Sequence, residues 1–202
     1  MTRDRFVIAL VELYGLTTQE LIARSVLNGA HATMASKIAS RLCAAKKLVR
    51  REFRCPGGKR WCYYQPAGAR PPVPEALARA MAVADFCIHG GTPKLSAAAM
   101  REAYPFMPVK GNDYCVLEDG LCLIKVARGT GDADRIVRRL RDLHRSLYVH
   151  DGYRYLIQTG RFSVRVITPS DSRADQLNRY LGMGPPPYPV IPVVYEDLLE
   201  LT

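Results

Sequence analysis

Residues 32–65 read ATMASKIASRLCAAKKLVRREFRCPGGKRWCYYQ, and the hydrophobic period changes partway along this stretch. In its first half Ala35, Ile38, Ala39, Leu42 and Ala45 form an i, i+3, i+4, i+7 stripe, which predicts a helix from about Ala32 to Lys47. From Val49 onward the pattern suits strands. Val49–Cys55 and Lys59–Gln65 are two such runs, separated by Pro56-Gly57-Gly58, a hairpin turn signal. Upstream, residues 4–14 (DRFVIALVELY) place Phe6, Ala9, Leu10 and Leu13 at helical spacing, and Gly15 stops the run. Thr17-Thr18-Gln19-Glu20 has capping-box spacing, with the Thr17 hydroxyl as cap and Glu20 reaching back. It opens a short helix that Asn28-Gly29 ends. Three helices followed by a basic hairpin is the order of a winged helix-turn-helix, expected over residues 1–67.

The charge distribution says what such a domain would bind. The 202-residue chain carries a net charge of +10. Residues 1–70 hold 13 Lys/Arg against 4 Asp/Glu, whereas residues 71–202 hold 16 against 15. A basic first third joined to a neutral remainder points to a polyanion partner for the first third alone. Burying the Ala35–Ile38–Leu42 stripe turns Thr33, Ser36, Lys37, Ser40, Arg41, Ala44 and Lys47 outward. That set contains no carboxylate. Small residues let a helix approach base edges, hydroxyls reach phosphates or bases, and Lys and Arg reach both. The hairpin adds Arg50, Arg51, Arg54, Lys59 and Arg60, the last two directly after the turn where a wing tip meets phosphate. The expected partner is double-stranded DNA, with the third helix in the major groove and the hairpin along the backbone. Trp61, Tyr63 and Tyr64 are expected to pack the hairpin rather than stack on bases.

Beyond Gln65 the stretch PAGARPPVP, residues 66–74, disfavours a helix, so residues 68–74 read as a linker and 75–202 as a second domain. There the periodicity predicts a buried helix over Glu75–Ile88 and a short one over Ser96–Tyr104. Strands follow at Asp113–Leu117 and Leu121–Ala127. A long helix over Asp132–Tyr148 turns Ile136, Leu140, Leu143 and Leu147 inward. A strand at Phe162–Thr168, a helix at Ser170–Leu181 and an extended segment at Val190–Tyr195 complete an α+β chain.

Several function classes are excluded. No run approaches the ~18 apolar residues that span a bilayer, and no apolar h-region with a cleavage site follows the charged N-terminus. A cytoplasmic protein without a membrane partner is expected. Six cysteines occur without a CxxC pair, and are expected as buried free thiols. Cys55 and Cys62 flank the hairpin turn, spaced to face each other across it. The four histidines, His31, His89, His144 and His150, do not complete a zinc set with them. No phosphate loop, GxSxG or HExxH is present. Arg128-Gly129-Thr130-Gly131 reads as a turn rather than a phosphate cradle. No cofactor or metal is expected.

Four segments of the second half carry a resemblance. They are Glu118-Asp119-Gly120, Val126-Ala127-Arg128-Gly129-Thr130 with the helix from Asp132, Val164-Arg165-Val166-Ile167-Thr168-Pro169-Ser170, and Arg173. Their order and local sequence resemble the replication-relaxation family of bacterial plasmids and mobile elements. The resemblance implies a winged helix followed by a small α/β domain similar to the PD-(D/E)XK nuclease fold. In nucleases of that fold two carboxylates hold a metal and a lysine orients the water. Here Asp119 fits the first position, with Glu118 beside it. If Lys125 is the lysine, the second acid is replaced by Leu123. The implied protein is a non-enzymatic, sequence-specific DNA-binding protein acting in transcription regulation, replication or conjugative transfer. Its second domain would mediate a homodimer or a protein partner. The alternatives are a metal-dependent nuclease using Asp119, Glu118 and Lys125, and an antitoxin of an abortive-infection type pair.

Overall fold

The computed structural model describes residues 2–27, 32–55, 58–118, 120–129 and 131–198. Asn28, Gly29, His31, Pro56, Gly57, Asp119 and Thr130, named above, lie outside the described residues. The chain is mixed α and β with two small sheets, and forms two compact units that part between Gly91 and Thr92. The division falls later than the expected linker at 68–74. Pro74–His89 (α4) packs against the helices before it and belongs to the first unit.

In the first unit α1 (Arg3–Tyr14), α2 (Gln19–Leu27) and α3 (Ala32–Ala44) precede a hairpin of β1 (Leu48–Arg54) and β2 (Arg60–Pro66). The core takes Ala35, Ile38, Ala39 and Leu42 from α3, as its spacing predicts. Burying Ile38 and Leu42 supplies about 1.5–3 kcal/mol each. From α1 it takes Val7 and Val11, with Leu10 of the expected stripe only partly buried against them and Phe6 left 51% exposed. α1 is apolar on several faces, so two stripes compete and packing selects one.

The cap of α2 is also displaced. The Thr18 hydroxyl accepts from the Leu21 amide at 3.3 Å, while Glu20 pairs with Arg24. Thr17 is fully buried and bonds its backbone to Tyr64 in both directions, at 3.0 and 2.8 Å, adding a one-residue bridge to the hairpin. α3 stops at Ala44 rather than Lys47. Lys46 takes a left-handed φ of 53°, and the Lys47 and Lys46 amides bond back to Leu42 and Cys43 in a Schellman-type closure. This turn delivers the chain into β1.

The second unit opens with α5 (Ala97–Ala103), capped by the Ser96 hydroxyl on the Ala99 amide at 3.1 Å. Its sheet runs β3-β4-β5-β6, from β3 (Asp113–Leu117), β4 (Gly120–Val126), β5 (Phe162–Thr168) and β6 (Val190–Val194). β3 and β4 are antiparallel, and the two later pairs are parallel. Parallel neighbours need crossovers, supplied by α6 (Asp132–Leu147) with α7 (Asp151–Gln158), and by α8 (Asp171–Gly182). α7 was not expected from the sequence. One sheet face, with Tyr114, Leu121, Leu123, Phe162, Val164 and Val166, packs with Ile136, Val137 and Leu140 of α6, Tyr153 of α7 and Leu177 of α8. Pro192 is tolerated because β6 is an edge strand. Among the described residues no helix is long and apolar enough to cross a membrane.

Candidate nucleic-acid interface

Helical geometry turns Thr33, Lys37, Ser40 and Ala44 of α3 to one side, at i, i+4, i+7 and i+11, and all four are exposed. Lys47 is exposed just beyond the helix end. The other two expected positions differ. Ser36 is half-buried, and Arg41 is exposed but ion-paired with Asp4 of α1.

The hairpin sorts its cations by strand alternation. Its register pairs Arg50 with Tyr64, Glu52 with Cys62 and Arg54 with Arg60, so these six share one face. Tyr64 on that face is buried in the same core as Ile38 and Leu42, so Arg50, Arg54 and Arg60 lie on the α3 side. Arg50 leans on Glu52 at 3.5 Å and donates to the Cys62 sulfur at 3.2 Å. Arg54 and Arg60 are exposed, and neither has an ion-pair partner among the described residues.

Arg51 points to the opposite face. Its Nε donates to Gln65 Oε1 and its Nη2 to the Ala69 carbonyl, both at 2.9 Å, so it clamps the base of the hairpin. The expectation that Arg51 contacts DNA is therefore corrected: strand alternation turns it to the face away from α3, where Gln65 and the Ala69 carbonyl hold it. Lys59 stands over the Trp61 ring at 4.7 Å. Tyr63 and Tyr64 are buried, and burial pushes both phenols up. Burial likewise pushes up the Cys43 thiol of α3, against a lowering contribution from Arg50. Cys62 pairs in register with Glu52, so it does not face Cys55, and all six cysteines are free thiols.

Of the expected nuclease residues, the two described, Glu118 and Lys125, are not brought together. Glu118 is exposed in the β3–β4 turn with a left-handed φ of 44°. Lys125 lies near the far end of β4, about 17 Å along the strand from Gly120. It donates to the Asn112 side chain. Asp119 is outside the described residues. Among the described residues no three His, Cys, Asp or Glu side chains are grouped to hold a metal ion.

The Arg128–Gly131 turn has its own anion. The amides of Arg128 and Gly129 both donate to Asp132 Oδ2 at 2.8 Å, so they are occupied from within the chain. Burial works to raise the Asp132 carboxyl. The Gly129 and Arg128 amides and Arg135 outweigh it and hold the group below its usual range. His144 bonds Tyr153 at 3.2 Å and His150 stacks on Phe106.

No family model, no curated protein and no solved structure matches this chain.

Proposed function

We propose that the first unit is a winged helix-turn-helix that binds double-stranded DNA, and that the chain acts by binding rather than catalysis. The observation that carries this reading is the coincidence of two surfaces. An exposed α3 ridge of small, hydroxylated and cationic residues carries no carboxylate, and the hairpin's Arg54 and Arg60 lie on the side of that helix. In this reading Thr33, Lys37 and Ser40 face the major groove, while Lys47, Arg54, Lys59 and Arg60 meet phosphates. The second unit, similar in element order to a PD-(D/E)XK domain, serves assembly or partner contacts. The resemblance to replication-relaxation proteins supports a role on a plasmid or mobile element, in transcription regulation, replication or conjugative transfer.

The test is a fluorescence-anisotropy titration of a labelled random duplex at several salt concentrations, with a parallel incubation in magnesium or manganese. Binding that weakens linearly with the logarithm of salt, with the duplex left intact, is expected. No binding at low salt would refute the DNA reading, and cleavage would refute the non-catalytic one.

A further inference from the structure

The Arg41–Asp4 pair joins α3 to the first turn of α1, across 37 positions of sequence. Arg41 Nε donates to Asp4 Oδ2 at 3.2 Å, and Arg41 Nη2 donates to Asp4 Oδ1. The carboxylate therefore occupies one edge of the guanidinium, the side-on fork. A guanidinium has five N–H donors in fixed geometry. With Nε and one Nη2 hydrogen taken, the Nη1 pair and the second Nη2 hydrogen remain, directed off the end of the side chain.

That end stays in solvent. The Arg41 side chain is 63% exposed while Asp4 is 35% exposed. Arg41 follows Lys37 by one turn, so it borders the ridge that would enter the groove. Asp4 is also held where it can act. Arg3, its neighbour, places Nη1 on the Met34 sulfur at 3.3 Å, so the start of α1 touches α3 at two points. An exposed ion pair contributes little to stability. Its larger effect here is to fix a long side chain in one rotamer before any ligand arrives.

Two parallel donors on a pre-set end match one base edge. Guanine presents two acceptors, N7 and O6, to the major groove, whereas adenine presents one acceptor and one donor there. We infer that Arg41 reads a guanine through its Nη1/Nη2 end and that Asp4 is the positioning residue that holds it for this contact. The inference rests on the DNA-binding reading above and adds a base preference to it.

The experiment is selection from a duplex library with a randomised core, using the full chain, Arg41→Lys and Asp4→Asn. Each protein is also titrated against an unselected random duplex and melted. The full chain is expected to enrich guanine at a fixed position, over adenine by roughly 5- to 150-fold. Arg41→Lys keeps the charge but lacks the fork. It should lose that guanine position while binding the random duplex within about 3-fold and leaving other positions unchanged. Asp4→Asn should weaken the same position alone, by about 5-fold or more, with random-duplex affinity equal or higher because a negative charge has gone. A guanine position that survives Arg41→Lys overturns the inference while leaving DNA binding intact. Asp4→Asn lowering every position equally, together with the melting temperature, makes the pair a helix staple and also overturns it. A full chain that binds no duplex overturns the DNA reading itself.

Discussion

Replacing Arg54 and Arg60 together by serine should weaken DNA binding without weakening the fold. The two arginines stand directly opposite each other at the end of the hairpin. The Cys55 amide bonds the Lys59 carbonyl at 2.9 Å just beyond them, which makes 54/60 a non-hydrogen-bonded pair, the kind whose side chains stand closest. Like charges so placed repel. At ~6 Å in water the repulsion is about 0.7 kcal/mol, so removing both charges should leave the melting temperature equal or higher. A phosphate between them would turn the repulsion into attraction, and each phosphate contact adds about 0.9 to the magnitude of the log–log salt slope. The double variant should therefore show a slope flatter by about 1.8. Between 50 and 200 mM salt its affinity should fall about 12-fold less than that of the parent chain. Anisotropy titrations at four salt concentrations, with a thermal melt of each protein, measure both quantities. Parallel slopes would refute the assignment of Arg54 and Arg60 to phosphates. A collapsed melt would refute the claim that their opposition is unfavourable.

Arg51→Met is the converse case. It removes the bonds to Gln65 and Ala69, so urea unfolding should show a loss of about 1–3 kcal/mol with no change in salt slope. A flattened slope would return Arg51 to the interface. Asp132→Ala removes the acceptor of two backbone amides and should cost about 1–3 kcal/mol at pH 7. The folded pKa of Asp132 lies below its unfolded value, so its contribution is complete above about pH 5 and is lost as pH falls through the folded pKa. Urea unfolding at pH 7 and pH 3 should show the gap between variant and parent narrowing at the lower pH, and an unchanged gap would exclude the carboxylate as its source.

The elements that could be read from sequence are those whose period is unambiguous. α3 carries one apolar stripe and buries Ala35, Ile38, Ala39 and Leu42 of it, while Ala45 falls beyond the helix end and is exposed. α6 likewise sets Ile136, Leu140 and Leu147 against a charged remainder. α1 is apolar at Phe6, Val7, Ile8, Leu10, Val11 and Leu13, so period alone allows more than one buried face. α7 has eight residues and buries only Tyr153 and Leu156, too short a run for the period to register. Its Gly152 is a poor helix former. A Cβ there would clash with the Phe106 ring, so close packing selects that glycine. The domain boundary was misplaced for a different reason. Proline and glycine at 66–74 mark a change of direction, and only tertiary contact shows that α4 folds back onto α1 and α2.

The candidate interface divides in the same way. Which α3 residues face outward follows from helical period, and the absence of carboxylates among them was plain in the sequence. Which cations are held within the chain did not follow, because most of their partners are distant in sequence: Arg51 is held by Gln65 and Ala69 and Arg41 by Asp4, while Arg50 leans on Glu52, two residues along β1. This matters for magnitude. The excess of nine positive charges over residues 1–70 would suggest a very steep salt dependence. Lys47, Arg54, Lys59 and Arg60 are the proposed phosphate contacts, and four such contacts give a log–log slope of about −3.6. A measured slope of about −5.4 would mean that Arg41 and Arg50 join them, their ion pairs opening on binding, and that the pairing seen here belongs to the unbound chain alone.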